Sequence, residues 1–531
     1  MDGVSQAMLL VALAVGVGTY LMFVRILGAK QDPQEPPLIP ATIPYIGHVI
    51  GIMRSKSNYY VQLSHQSVLP IFTMTMPGTK MYVVTTPELI QAIQKQPKEL
   101  AFPPIEAKFA SRVCGSSAEA HKIMMTNVNG DEGDWGLSME TYAAMRAALA
   151  PGPDLDNMNR VMIQNIAAAL DHLTAAGGKH AKIGLAKWLR SSVTAATTNS
   201  VYGPQNPFKQ QAVEDGFWDF ESDLVAILIG VLPSITARKG VAGRAKVTQA
   251  FERYFRTGGH KESSILMQNR YETGAKNGLS IEDIARFEVG GAIAILVNTA
   301  PAAFWTLLYV YSHPGILEDI RKEVSSIMTT TVDETGNPIW NLDITNVKTK
   351  CPILTSTFQE VLRHRSMGTS IRQVMQDTFL KDQWLLKKGC MIQMPGRVIH
   401  KDPSIWGSDV DEFNPRRFMK GEVPKTENGK PPNPAAFRAF GGGTTLCPGR
   451  HFATTEILAV VTMFVMRYNM EPTAGAWSLP KTDNTNVAAV VMEPDSDVEV
   501  EVSMREGFEG GQWTFSLRNS GMIFAVVAED I

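Results

Sequence analysis

Phe440-Gly441-Gly442-Gly443-Thr444-Thr445-Leu446-Cys447-Pro448-Gly449-Arg450 is the stretch on which the reading of this 531-residue chain turns. It sets a single cysteine in a loop crowded with glycines, followed at once by Pro-Gly and a run that reads as a helix from Gly449 through Met466. Glycine lacks a Cβ, so such a backbone turns sharply and can lie flat against a large partner. Pro448 pushes Cys447 away from helical angles and holds its thiol at the end of an extended loop. The following helix points its N-terminal amides and the positive end of its dipole at that thiol, which favours the thiolate.

A lone thiolate on a glycine platform suits the axial ligand of a haem iron, where its electron donation assists O–O cleavage. Taken alone, the same loop suits a buried structural cysteine as well. What decides between them lies elsewhere in the chain.

Charge and cysteine usage remove several alternatives. Fifty Lys and Arg stand against 52 Asp and Glu, a net charge of -2, so no basic excess points to nucleic acid. The four cysteines (Cys114, Cys351, Cys390 and Cys447) are scattered with no CxxC, which argues against a disulfide scaffold or a structural zinc site. That usage fits a reducing compartment. The 26 methionines read as core filler. No linker rich in Pro, Gly or Ser follows residue 45, so residues 46–531 are predicted as one catalytic domain.

From Ala7 to Phe23 the chain is almost wholly apolar, and through Leu27 it is long enough to cross a bilayer as one helix. Residues 1–27 are therefore predicted as a membrane anchor. The alternative, a cleaved signal peptide, lacks its basic n-region, since Asp2 is the only charge there. Arg25 and Lys30 follow the span, which places the body on the cytosolic side. Residues 28–45, with Pro33, Pro36, Pro37, Pro40 and Pro44, read as a short stiff hinge.

Along the body, Ile71–Met76 and Met81–Thr85 are β-prone around Pro77-Gly78-Thr79, a hairpin signal. Residues 103–134, with Pro103, Pro104, Gly115, Gly130 and Gly133, read as a long irregular loop and a candidate lid. Helical patterns cover Met139–Ala150, Met158–Ala175 and Phe217–Leu232, and later β signals fall at Val374–Met394 and Val487–Val502. The fold class is mainly α with smaller β-sheets.

The longest helix is predicted over Ser280–Ser312, opened by Ser280 and Asp283 and closed by Pro314. Pro301 cannot donate to the Val297 carbonyl, so the helix must kink beside the polar pair Asn298-Thr299. Such a pair deep in an apolar helix can hold water or O2 against a cofactor, or can simply satisfy freed backbone groups. The Cys351-Pro352 helix carries Glu360 and Arg363 on one face, spaced for a carboxylate–guanidinium pair. The turn Phe413-Asn414-Pro415-Arg416-Arg417-Phe418 can bring a second arginine to the same glutamate.

Together and in this order, these features resemble the cytochrome P450 superfamily. The loop matches its haem signature at Phe440, Gly443, Cys447 and Gly449, Glu360 and Arg363 match its Glu-x-x-Arg helix, and Arg417 matches its Pro-x-Arg-Phe segment. The resemblance implies a P450 fold with Cys447 as the haem iron's axial ligand and Glu360, Arg363 and Arg417 as a structural ion network. Thr445 stands where the signature has arginine, and Tyr142 stands where a Trp-x-x-x-Arg helix has tryptophan, with its arginine kept as Arg146. Arg146, Arg372 and the Tyr142 hydroxyl are then the candidate haem-propionate partners, with His400 a further one. Thr299 and Asn298 take the positions of the acid–threonine pair, so Thr299 would order the proton-delivering water, and Asn298 could orient water without titrating.

Asn298-Thr299-Ala300-Pro301-Ala302-Ala303-Phe304-Trp305 and the threonine before Leu446 resemble the branch containing cholesterol 7-alpha-hydroxylase and prostacyclin synthase. The C-terminal Arg505-Glu506-Gly507-Phe508-Glu509 with Trp513 looks more like filamentous-fungal members of secondary metabolism. The resemblance implies haem b as cofactor and insertion of one oxygen atom from O2 into a lipophilic small molecule, such as a terpenoid, steroid or polyketide. The chain has no nicotinamide or flavin motif, so NADPH would act only through an NADPH–cytochrome P450 reductase. That partner would dock on the cysteine side, with Arg438, Arg450 and Lys430 as candidate contacts. The implied location is the endoplasmic reticulum membrane, single-pass, with the anchor in lipid. The competing reading is a haem-thiolate isomerase of the prostacyclin-synthase kind, which needs no reductase.

Overall fold

A computed structural model describes residues 16, 18, 31–41, 43, 45–175, 180–425, 429–483 and 489–517. Apart from residues 16 and 18, the predicted anchor at 1–27 lies outside the described residues. The chain forms two compact units. One takes in residues up to Phe102 together with Thr369–Val398, and the other takes in Pro103–Gly368 and Ile399 onward.

The smaller unit is built on a five-stranded sheet, in the order Ile71–Met76, Thr79–Val84, Met391–Pro395, Thr369–Val374, Leu100–Ala101. The first pair is the hairpin predicted around Gly78, whose φ of 72° suits glycine at the turn. The proline-rich segment is fastened to this sheet. Thr73 donates its amide to the Pro37 carbonyl at 2.7 Å, and Leu385 donates to Gln34 at 2.9 Å. Buried Glu35 accepts from Lys80 Nζ at 2.8 Å and from the Tyr82 hydroxyl at 2.7 Å. A buried carboxylate paired and hydrogen-bonded in this way is held hard, because leaving either charge alone in the interior is costly.

The larger unit is mostly helical, with small sheets at its margins. Its core is filled by the cysteine helix, Arg450–Arg467, which is buried almost throughout, and by the central helix, which runs as Ile281–Leu296 and Thr299–Tyr311. Both sequences are apolar on nearly every face, which suits helices surrounded by others. The run Ile281–Tyr311 is long and apolar enough to cross a bilayer, but it is mostly buried within this unit.

Ser280 accepts the Asp283 amide at the helix start, as its sequence predicts. Asp283 in turn accepts the Ser117 amide at 2.9 Å and hydroxyl at 2.7 Å, joining the starts of two helices.

Two sequence expectations change. Residues 103–134 are not one irregular loop, since they contain helices Pro103–Cys114 and Ala118–Met125. Paired prolines read as breakers, yet the first helical turn needs no amide donors there, and Ser117 caps the second helix. The run Phe217–Leu232 divides into Gln211–Ser222 and Leu224–Ile229. The central helix breaks at residues 297–298, beside the Asn298-Thr299 pair as its sequence predicts, because the Val297 carbonyl loses its donor to Pro301 one turn on.

Candidate active site

The cysteine loop closes on itself through backbone bonds. The Cys447 amide donates to the Phe440 carbonyl at 2.9 Å, and Leu446 donates to Gly443 at 3.1 Å across the short turn Gly443–Thr445. Gly441 has φ of 80°, and a Cβ there would sit 2.9 Å from the Thr445 carbonyl, so only glycine fits. Thr445, where an arginine was expected, donates its hydroxyl to Gly442 at 3.1 Å. The Cys447 sulfur accepts the backbone amides of Gly449 and Arg450. Burial pushes this thiol up, while those amides and the Arg450 charge pull it back. A sulfur supplied with amide donors at a helix start, beside a glycine surface that excludes side chains, fits an iron-ligating thiolate.

Behind the loop, Glu360 is fully buried and collects two arginines. Arg363 donates Nε to Oε2 and Nη2 to Oε1, each at 2.8 Å, and Arg417 donates Nε at 3.1 and 3.2 Å. The remaining donors are taken up as well. Arg363 reaches the His400 carbonyl at 2.7 Å, and Arg417 reaches the Trp406 carbonyl at 2.6 Å and Asp409 at 2.9 Å. This full satisfaction is what makes two buried guanidiniums tolerable.

At the helix break, Asn298 turns its side chain to the loop after residue 488. Its Oδ1 accepts the Val490 amide at 2.6 Å and the Val491 amide at 3.2 Å. Thr299, the first residue of the resumed helix, is buried. These partners of Asn298 lie 192 and 193 residues away, and no local pattern announced them.

The candidate propionate partners divide. Arg146 donates to the Thr444 carbonyl, which places it on the cysteine loop. The Tyr142 hydroxyl hydrogen-bonds to Glu106, a carboxyl that burial raises to about 7 and that sequence reasoning missed. His400 uses Nε2 to accept the Arg438 amide at 2.8 Å. Arg372 belongs to the smaller unit, in strand Thr369–Val374, with its guanidinium 5.8 Å from the Phe102 ring centre. Arg438 is buried and so is withdrawn as a docking residue, whereas Lys430 is exposed.

The protein-family model described as Cytochrome P450 matches residues 253–499. Over 502 residues the chain is 38% identical to the cytochrome P450 monooxygenase nodJ of Hypoxylon pulicicidum, covering 94% of this chain and 95% of that protein. It is 25% identical over 391 residues to 25-hydroxycholesterol 7-alpha-hydroxylase of Rattus norvegicus, covering 72% of this chain and 90% of the rat protein. The solved structure of retinoic acid bound cyanobacterial CYP120A1 superposes with a TM-score of 0.65 at 16% identity, over 89% of this chain and 99% of that one, and supports the fold. The chain belongs to the cytochrome P450 family of haem-thiolate enzymes.

Proposed function

We propose that this chain is a monooxygenase that inserts one oxygen atom from O2 into a lipophilic small molecule of terpenoid, steroid or polyketide type, in secondary metabolism. The observation that carries the reading is the Cys447 loop, with its sulfur fed by the Gly449 and Arg450 amides. The fungal relative is named a monooxygenase and the rat relative a sterol hydroxylase, which supports both the reaction type and the substrate class.

Haem b, when bound, supplies the oxygen-activating chemistry. Cys447 holds it through sulfur, with Phe440, Gly443 and Gly449 shaping the surface beside it. Arg146, held at the cysteine loop through the Thr444 carbonyl, would offer a cationic partner for its carboxylates. Thr299 holds a proton at Oγ1 for delivery to the oxygen side. Glu360, Arg363 and Arg417 keep the loop's support rigid. Electrons come from an NADPH–cytochrome P450 reductase, and residues 1–27 tether the chain to the endoplasmic reticulum membrane with residues 46–531 as the catalytic domain facing the cytosol.

Metabolite profiling of a host co-expressing chain and reductase gives the substrate. Product that appears with neither reductase nor NADPH would replace this reading with the isomerase.

A further inference from the structure

Asn298 stands at a position where an acid would relay protons, yet its geometry serves another purpose. A carboxamide oxygen has two acceptor lone pairs. Both are engaged, by Val490 N at 2.6 Å and Val491 N at 3.2 Å, so Oδ1 is already spent on the chain itself. The backbone of the same short segment is gripped from other directions. Trp305 Nε1 donates to the Met492 carbonyl at 2.7 Å, Met367 N donates to the Val490 carbonyl at 2.7 Å, and Met492 N donates to the Arg365 carbonyl at 3.0 Å. The Arg365 guanidinium lies 3.9 Å from the Trp305 ring centre, tying the two sides together. Val490 packs so closely on Gly368 that a Cβ there would fall 2.9 Å from its Cγ1.

We infer that Asn298 is a positioning residue: it registers residues 490–492 across the central-helix break and so sets the pocket wall against which substrate is held. This rests on the haem-thiolate monooxygenase reading. The sequence cause is Pro301. By opening the turn at Val297 it frees Asn298 to leave the helix surface, and the amide then reaches a segment that has two donors in succession. Proton ordering falls to Thr299 alone. The carboxamide is chosen for its acceptor oxygen, which a carboxylate also provides and a hydrocarbon does not.

The test compares Asn298→Leu with Asn298→Asp in the haem-loaded full chain, using two readouts. Hydrogen–deuterium exchange followed by mass spectrometry reports the Val490 and Val491 amides. Optical titration uses imidazole, which would reach only the iron, and 1-dodecylimidazole, whose chain would extend along the proposed wall. Asn298→Leu is expected to speed exchange at those two amides about tenfold, the order set by losing one or two ordinary hydrogen bonds. It should weaken 1-dodecylimidazole by a similar factor, with imidazole affinity and the reduced carbonyl spectrum unchanged. Asn298→Asp should match the native protein in both readouts. Asn298→Ala gives the same comparison where leucine does not fold.

Unchanged exchange in the folded leucine or alanine variant overturns the inference. So does equal weakening of the two azoles, or an aspartate variant that behaves like leucine. If native protein shows no imidazole spectrum at all, the haem reading fails, and the exchange measurement still decides the latch.

Discussion

Arg417 Nε lies 3.1 and 3.2 Å from the two carboxylate oxygens of Glu360, although 57 residues of chain separate them. The pair is buried, with side-chain exposures of 2% and 0%, and Arg363 occupies the other side of the same carboxylate. Removing the acid leaves two guanidiniums in the interior facing each other. Glu360→Gln is expected to cost about 3–5 kcal/mol. Urea unfolding and haem content check this, and a variant with native stability would show that the network is not structural.

Cys447→Ser should abolish the thiolate-type spectrum of the reduced carbonyl complex while leaving the far-ultraviolet dichroism of the helices unchanged. A retained spectrum would remove Cys447 as the ligand.

Thr299→Ala should raise peroxide release relative to product, since the buried hydroxyl at the helix break is the group proposed to order the proton. Consumption of NADPH and O2 against peroxide and product gives the coupling. Full coupling in the variant would assign proton delivery elsewhere.

Glu456 gives a prediction for pH. It lies fully buried in the cysteine helix, its Oε1 accepts from Thr197 Oγ1 at 2.7 Å, and burial raises it to about 8. The folded value stands above the ordinary 4.5, so between these pH values the native state keeps a proton that the unfolded state has released. Stability from this group is therefore full at low pH and lost as pH rises toward 8. Glu456→Gln should flatten that slope and stabilise the protein by roughly 2–4 kcal/mol above the window. Urea midpoints at mildly acidic and mildly alkaline pH measure it; an unchanged slope would place the proton elsewhere.

The proline-rich segment and the Asn298 side chain show where sequence reading stopped. Proline stiffness was legible at Pro33, Pro36 and Pro37, but not that Glu35 between them would be buried against Lys80 and Tyr82. Charge on an isolated glutamate carries no information about burial. Likewise Pro301 announced a kink, but the break's partners at Val490 and Val491 depend on a loop closing across nearly two hundred residues.

By itself the sequence determined the local chemistry: the glycine-flanked Cys447, the Glu360–Arg363 spacing on one helical face, the Ser280 cap, and the opened turn before Pro301. Each follows from steric and periodic rules acting over fewer than a dozen residues. Only the tertiary structure decided that Arg146 meets the cysteine loop, that Tyr142 turns to Glu106, and that Asn298 is spent on the backbone of residues 490 and 491. A hydrogen bond needs its partners near 3 Å, and for residues remote in sequence that proximity is a property of the packed chain.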